Sequence, residues 1–384
     1  MTNLSFSQGI ANVAQDLCFS TEYLVSIYET YVKNGRACGR DGIHPRSLEA
    51  GIESTCEQIA EKLNDGSYRF TRYREQLRLK GAGRPPRLLS IPTARDRIAL
   101  RAVADYLSLV SPNHKPKIPQ HCAWDVYKTL KTTKYDAFVR LDVKDFYPSI
   151  SHDLLLKSLS RLSIAPEVRA VVMRAVRTPT APDLERPLDR NLRGVPQGLA
   201  ISNILAEFVA AHVDQALQAL GPCSYFRYVD DVILFCPGAK VPFFAREAPR
   251  VFREHQLETH DIGPKFKSKV GYLDKGFDYL GYEFIGDKIT VRKKSVHQLE
   301  SRIARAFTAY RRTVEANKDG EAAEEIMEEA VRRCLREVNL LVTGFTFKRT
   351  ERGWIQYYRQ MNDYKLLNKE GYSRGFLRIV GAPS

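Results

Sequence analysis

The stretch Tyr225-Phe-Arg-Tyr-Val-Asp-Asp-Val-Ile-Leu-Phe235 sets two adjacent carboxylates inside an apolar run. Like charges a few ångströms apart raise each other's pKa, and burial adds a desolvation cost, so something must compensate them. Successive strand residues point to opposite faces, so Asp230 and Asp231 can serve one site only at a tight hairpin turn. The apolar runs on either side allow that turn. A second run, Ala137-Phe-Val-Arg-Leu-Asp-Val143, carries another acid, Asp142. The three acids make an oxygen ligand set suited to Mg²⁺; two acids at an exposed hairpin tip are the plainer alternative. Two ions held by such a set can activate a 3′-hydroxyl and stabilise a leaving pyrophosphate.

Around these acids the pattern alternates between helix and strand. Leu24, Ile27, Tyr28 and Tyr31 fall on one helical face, as do Ile52, Cys56, Ile59 and Leu63. From Tyr68 to Pro92, arginines and leucines alternate about a Gly81-Ala-Gly-Arg-Pro-Pro86 break, which reads as a basic β-hairpin. A helix over 94–109 follows, with Ile98, Ala102 and Leu107 inward, then a Pro- and Lys-rich loop over 111–120. Helices are expected over 152–177 and 198–219. From about residue 290 the pattern is purely helical, with Val296, Leu299, Ile303, Phe307, Tyr310 and Val314 on one face.

Charge narrows the function. The 384 residues carry a net +14, distributed as +11 over 69–140, +7 over 291–384 and −4 over the remainder. A neutral to acidic centre between two basic flanks is what a nucleic-acid channel around a cation-dependent site requires. The composition, 43% hydrophobic and 27% charged, excludes disorder and a disulfide scaffold. Seven cysteines without a CxxC pair predict reduced thiols rather than a zinc site. With no bilayer-length apolar run and no secretory pattern at the start, a cytoplasmic protein without membrane contacts is expected.

The motifs resemble those of reverse transcriptases. Asp142-Val-Lys-Asp-Phe-Tyr-Pro-Ser-Ile150, Gly194-Val-Pro-Gln-Gly-Leu-Ala-Ile-Ser202 and Tyr228-Val-Asp-Asp231 are similar, in order and spacing, to the three central motifs of that family. Asp41-Gly-Ile43, Arg87-Leu-Leu-Ser-Ile-Pro-Thr93 with Asp96-Arg97, Lys267-Ser-Lys269 and Phe277-Asp-Tyr-Leu-Gly-Tyr-Glu-Phe284 resemble the bacterial, group II intron-like and retron branch. The resemblance spans roughly 40–360. It implies an α+β right-hand polymerase fold: N-terminal helices and fingers over 1–140 with the basic hairpin at about 68–92, and a palm with an antiparallel sheet over 141–285, fingers-type helices interleaved. A helical thumb and tail fill 286–384.

The roles follow from the same resemblance. Asp142, Asp230 and Asp231 match the metal-binding triad for two Mg²⁺ ions, replaceable by Mn²⁺, with Val143 beside the first acid in the metal set. Lys267 looks like the lysine that protonates pyrophosphate, though it also reads as surface. Arg87 matches the arginine that holds the triphosphate, a task suited to a guanidinium fork, with Lys80 or Arg84 as its partner. Tyr147 matches the aromatic steric gate that favours dNTPs over rNTPs; a core aromatic is the alternative. Gln197 and Gly198 match the motif under the incoming nucleotide. Tyr228, Leu280 and Gly281, the latter two in a primer-grip hairpin, match primer- and template-binding positions. Trp354 and Tyr357, in Gly353-Trp-Ile-Gln-Tyr-Tyr358, match the thumb's duplex contacts or its core.

Val342-Thr-Gly344 is similar to a short retron thumb signature, whereas Asn-Ala-x-x-His is absent from 111–136. The resemblance therefore implies an RNA-directed DNA polymerase that binds a structured non-coding RNA template, an RNA/DNA duplex and dNTPs, acting in anti-phage defence with a separate effector protein. Retron synthesis of RNA-linked DNA, template-independent or protein-primed synthesis, and an inactive RNA-binding scaffold are the alternatives.

Overall fold

Ser20 accepts a hydrogen bond from the Tyr23 N–H at 3.3 Å, the capping chemistry that satisfies an orphan donor at a helix start. In this computed structural model, which describes residues 2–79, 85–181, 191–286, 288–317, 326 and 329–330, the chain begins with helices α1 (Thr2–Cys18), α2 (Thr21–Ile27) and α3 (Ile52–Asn64). Leu24, Ile27, Cys56, Ile59 and Leu63 are buried as their spacing predicts. Tyr31 is not: it is 42% exposed. A single π-helical turn over Tyr28–Val32 rotates the buried face, so Tyr28 and Val32 go inward while the Tyr31 ring carries the Arg101 guanidinium 4.1 Å from its centroid.

The basic hairpin forms from β1 (Tyr73–Arg78) and β2 (Arg87–Ile91), antiparallel in a register from Arg74 opposite Ile91 to Arg78 opposite Arg87. Lys80 and Arg84 lie outside the described residues. In α4 (Ala94–Val110), Ile98, Ala102 and Leu107 are fully buried. Thr93 caps this helix, accepting from the Asp96 N–H at 3.1 Å. Asp96 is itself buried and accepts from the Tyr68 hydroxyl at 2.9 Å and the Thr71 N–H at 3.1 Å. It thus ties the approach to β1 to the start of α4, and burial pushes its carboxyl pKa up.

The Pro- and Lys-rich loop ends at Pro119, which opens α5 (Pro119–Thr132) from the first-turn position that suits proline. After β3 (Ala137–Asp142) and a short α6 (Phe146–Ser149), the helical stretch over 152–177 divides into α7 (His152–Ser160) and α8 (Pro166–Arg177). Pro166 causes the break, since it cannot donate to a preceding turn and holds Ala165 at φ −54, ψ 138. The two-residue β4 (Thr180–Ala181) runs parallel to β1. Helix α9 (Ser202–Gln218) starts later than its apolar pattern suggests, because Gly198 has φ +107 and cannot be helical.

Next come β5 (Ser224–Tyr228), β6 (Asp231–Cys236), α10 (Val241–Glu254) and β7 (Lys269–Tyr272), then β8 (Phe277–Tyr279), β9 (Tyr282–Ile285), β10 (Lys288–Val291) and α11 (Lys293–Ala316). The strands make three sheets, ordered β2-β1-β4, β5-β6-β3-β7 and β10-β9-β8. The chain divides into two compact units. One comprises Met1–Pro116, Arg140–Ile233 and Pro242–Lys269; the other comprises Lys117–Val139, Leu234–Val241 and Val270–Ser384. In the second, Phe277 is centred among Phe138, Phe235 and Phe284, with ring centroids 4.7–5.4 Å away. Phe307 of α11, expected on the inward face, is 43% exposed, while its neighbour Ala306 is buried. The expectations over 331–384, including Trp354 and Tyr357, fall outside the described residues. Among those described, no helix is long and apolar enough to cross a membrane.

Candidate active site

The paired acids sit as the hairpin argument requires. Val229 and Asp230 form a two-residue turn between β5 and β6, and Asp231 is the first residue of β6. Val229 adopts φ +58, a left-handed conformation that is a genuine outlier for a β-branched residue. The turn is held from outside: the Val143 N–H donates to the Asp230 carbonyl at 3.0 Å. Asp142, just before Val143, has its own backbone fixed on both sides. Its N–H donates to Ser268 Oγ at 3.1 Å, and its carbonyl accepts from the His260 N–H at 2.9 Å. All of these groups belong to the first compact unit.

The side chains divide their counter-charges unequally. Arg140, two residues before Asp142 on β3, clasps Asp231 in a bidentate pair, Nε to Oδ1 at 2.8 Å and Nη2 to Oδ2 at 2.6 Å. Lys267 Nζ lies 2.7 Å from Asp142 Oδ1, with His260 Nε2 at 3.3 Å from the same oxygen. Asp230 has no ion pair among the described residues. Burial raises its carboxyl pKa and the Asp142 charge raises it further, against the pull of Lys267 and Arg87. Burial also raises that of Asp231, opposed mainly by Arg140. Among the described residues no three acidic, histidine or cysteine side chains gather as a metal cluster. Asp231 is thus paired with Arg140 and Asp142 with Lys267, while Asp230 has only the more distant pull of Lys267 and Arg87.

Two other sequence motifs meet this centre. The Ser90 N–H of β2 donates to the Gln197 carbonyl at 2.7 Å, and a Cβ on Gly198 would lie 3.0 Å from the Ser90 carbonyl oxygen. Glycine is needed there both for the close approach and for φ +107. Arg87, exposed at the start of the same strand, is close enough to lower the pKa of both Asp230 and Tyr147. Tyr147 sits on α6 with its hydroxyl donating to Asn203 Oδ1 at 2.7 Å; burial, then the Asp230 charge, pushes its phenol up. Tyr228 also raises the pKa of that phenol. Ser202 donates to the Pro196 carbonyl at 2.6 Å, so it secures the loop before α9.

Leu280 and Gly281 form the tip between β8 and β9 in the second unit. Arg140, His260 and Asn203 were not singled out from sequence. Arg140 had a usable signal, since strand periodicity puts residues two apart on one face; the others are joined to the site by tertiary contacts alone. Arg227 is a further case: its guanidinium, 6% exposed, bonds both Asp214 and Glu207 of α9 at 2.7 Å and so clamps β5 immediately before the paired acids.

No curated protein matches the chain. A family model, Reverse transcriptase (RNA-dependent DNA polymerase), matches residues 80–284, which contain the acids, the Gln-Gly turn and the strand that bears Arg87. That match covers more than half of the chain, and the protein therefore belongs to the reverse transcriptase family: it is an RNA-directed DNA polymerase, a nucleotidyltransferase.

Proposed function

We propose that the centre around Asp142, Asp230 and Asp231 performs DNA synthesis by two-metal-ion nucleotidyl transfer, copying a structured non-coding RNA in anti-phage defence. The observation that carries the site assignment is Asp230: a half-buried carboxylate beside a like charge, with its pKa raised and no ion pair among the described residues. A hard divalent cation fits such a donor set, because carboxylate oxygens suit Mg²⁺ and the added charge removes the repulsion. Asp142, Asp230 and Asp231 would hold the two ions, with Val143 beside the first acid in the set. Bound there, divalent cations supply Lewis-acid stabilisation of the attacking 3′-oxygen and of the leaving pyrophosphate.

The remaining steps belong to this chain's own groups. Arg87 binds the triphosphate, with Lys80 or Arg84 beside it. Gln197 and Gly198 support the nucleotide's base and sugar, and Tyr147 excludes a ribose 2′-hydroxyl. Lys267 delivers a proton to the departing pyrophosphate. Leu280 and Gly281 support the primer backbone, and Tyr228 borders the primer end. The fingers, palm and thumb correspond to 1–140, 141–285 and 286–384. The group II intron-like and retron motifs support the branch assignment, and the basic flanks support an RNA/DNA duplex as ligand.

The test is purified protein with an RNA template, primer, dNTPs and Mg²⁺ or Mn²⁺, beside the Asp230→Ala/Asp231→Ala double variant. DNA is made by the wild type and not by the variant, while RNA binding persists; equal incorporation by both sinks the site assignment. Sequencing of RNA recovered with the protein from cells tests the dedicated template. A random transcript population together with no phage-resistance phenotype removes the defence role.

A further inference from the structure

We propose that Asn203 sets the sugar selectivity of this polymerase by fixing the ring of Tyr147; the inference rests on the reading of Tyr147 as the gate. Backbone contacts fix the base of that side chain. Asp145, at φ +41, turns the chain after β3; its carbonyl accepts from the Ser149 N–H at 2.8 Å, and the Tyr147 carbonyl accepts from the Val195 N–H at 2.9 Å. Gly194 closes the contact from the other side, where a Cβ would come within 2.9 Å of Pro148 Cα. These bonds leave the ring its side-chain torsions, and Asn203 removes that freedom by accepting from the hydroxyl at 2.7 Å.

Asn203 is well placed for this task. It stands in the first turn of α9, next to Ser202, whose hydroxyl secures the preceding loop through the Pro196 carbonyl. The acceptor is therefore borne on a rigid element that follows directly from the Gln197-Gly198 turn. A tyrosine hydroxyl has one proton to give. With that proton donated to Asn203, a ribose 2′-hydroxyl arriving at Tyr147 meets the ring and finds no donor on the phenol, so the water that donated to its oxygen is lost without replacement from that group. Removing the acceptor frees the ring to rotate and the proton to be shared, and both changes favour the ribose.

The experiment compares kcat/KM for a dNTP and its matching rNTP on one RNA template and primer, with circular dichroism as the check on folding. Asn203→Leu lowers the dNTP-to-rNTP ratio roughly 3- to 10-fold, the value of one hydrogen bond, chiefly through a lower KM for the rNTP. Tyr147→Phe, which keeps the ring and removes the hydroxyl, lowers it by a similar factor, and the double variant goes no further than either single one. Asn203→Asp, which keeps the acceptor, retains the wild-type ratio.

A wild-type ratio in Asn203→Leu, with the ratio collapsing in Tyr147→Gly, overturns the role of Asn203 and leaves the gate standing. A wild-type ratio in Tyr147→Gly overturns the gate and this proposal with it. Should Asn203→Leu not fold, an unchanged ratio in Tyr147→Phe overturns the proposal equally.

Discussion

Two hairpins in this molecule make a two-residue turn with a bulky residue where glycine is usual. Between β5 and β6, Val229 holds φ +58; between β8 and β9, Leu280 holds φ +51 and Gly281 follows at φ +89. In both, the second turn carbonyl is held by a backbone N–H from elsewhere: Val143 to Asp230 at 3.0 Å, and Arg292 to Gly281 at 3.1 Å. A left-handed L-residue costs on the order of 1–2 kcal/mol, so each turn persists because a neighbour holds it. What differs is the residue at the second position. One hairpin has glycine at that position; the other projects a carboxylate that has no ion pair among the described residues. The same backbone device thus serves two chemical ends.

The largest effect that tests this contrast is on chemistry. Asp230→Asn lowers incorporation by on the order of 10³-fold, the several kcal/mol expected when charge stabilisation at a transferring phosphoryl group is lost. Single-turnover incorporation on an RNA template measures it, and a loss under tenfold would place the essential charge elsewhere.

Next in size is the clasp on the neighbouring acid. Arg140→Gln strands Asp231, whose side chain is 19% exposed, and costs about 3 kcal/mol in denaturant unfolding. Adding Asp231→Asn recovers much of that loss. Failure of the second change to compensate would show that Arg140 acts through other contacts.

A smaller effect concerns pH. The Asp230 carboxyl titrates higher in the folded chain than in the unfolded one, so the folded state binds that proton more tightly. Its contribution to stability is full below the unfolded carboxylate value, about 3.9, and is lost as pH rises through the folded value. In metal-free buffer, Asp230→Asn therefore raises the melting temperature at pH 7, and the gain fades as the solution is acidified. For the wild type, millimolar Mg²⁺ or Mn²⁺ raises the melting temperature at pH 7, and the shift shrinks in Asp230→Asn. Thermal scans across pH and cation concentration read both.

Smallest is the strain itself. Asparagine tolerates the left-handed region, so Val229→Asn and Leu280→Asn each gain up to about 1 kcal/mol in chemical unfolding. A gain at one turn and a loss at the other would break the parallel between them.

Much of this was legible in the sequence because it is local. Adjacent acids within apolar residues force a hairpin turn, and Gly81-Ala-Gly-Arg-Pro-Pro86 has to interrupt a strand pair. The motifs around Asp142, Gln197 and Tyr228 could be found because each is a contiguous run. What escaped depends on groups distant in sequence. Asn203 meets Tyr147 across 56 positions, Lys267 meets Asp142 across 125, and the π-helical turn that exposes Tyr31 leaves no mark in hydrophobic spacing. The break at Pro166 was available in principle and was overridden by the apolar periodicity on both sides of it.

The bond from Ser90 to Gln197, tightened by the missing Cβ of Gly198, joins the strand that begins at Arg87 to the turn beneath the proposed nucleotide site. Under that reading the two contacts behave like the jaws of a caliper with a fixed opening. On that reading a mispaired base that tilts its sugar would draw its phosphates away from the arginine, so an error at one end of the nucleotide would be registered at the other. On the same reading alanine at Gly198, whose Cβ would lie 3.0 Å from the Ser90 carbonyl oxygen, would loosen that span and lower copying accuracy.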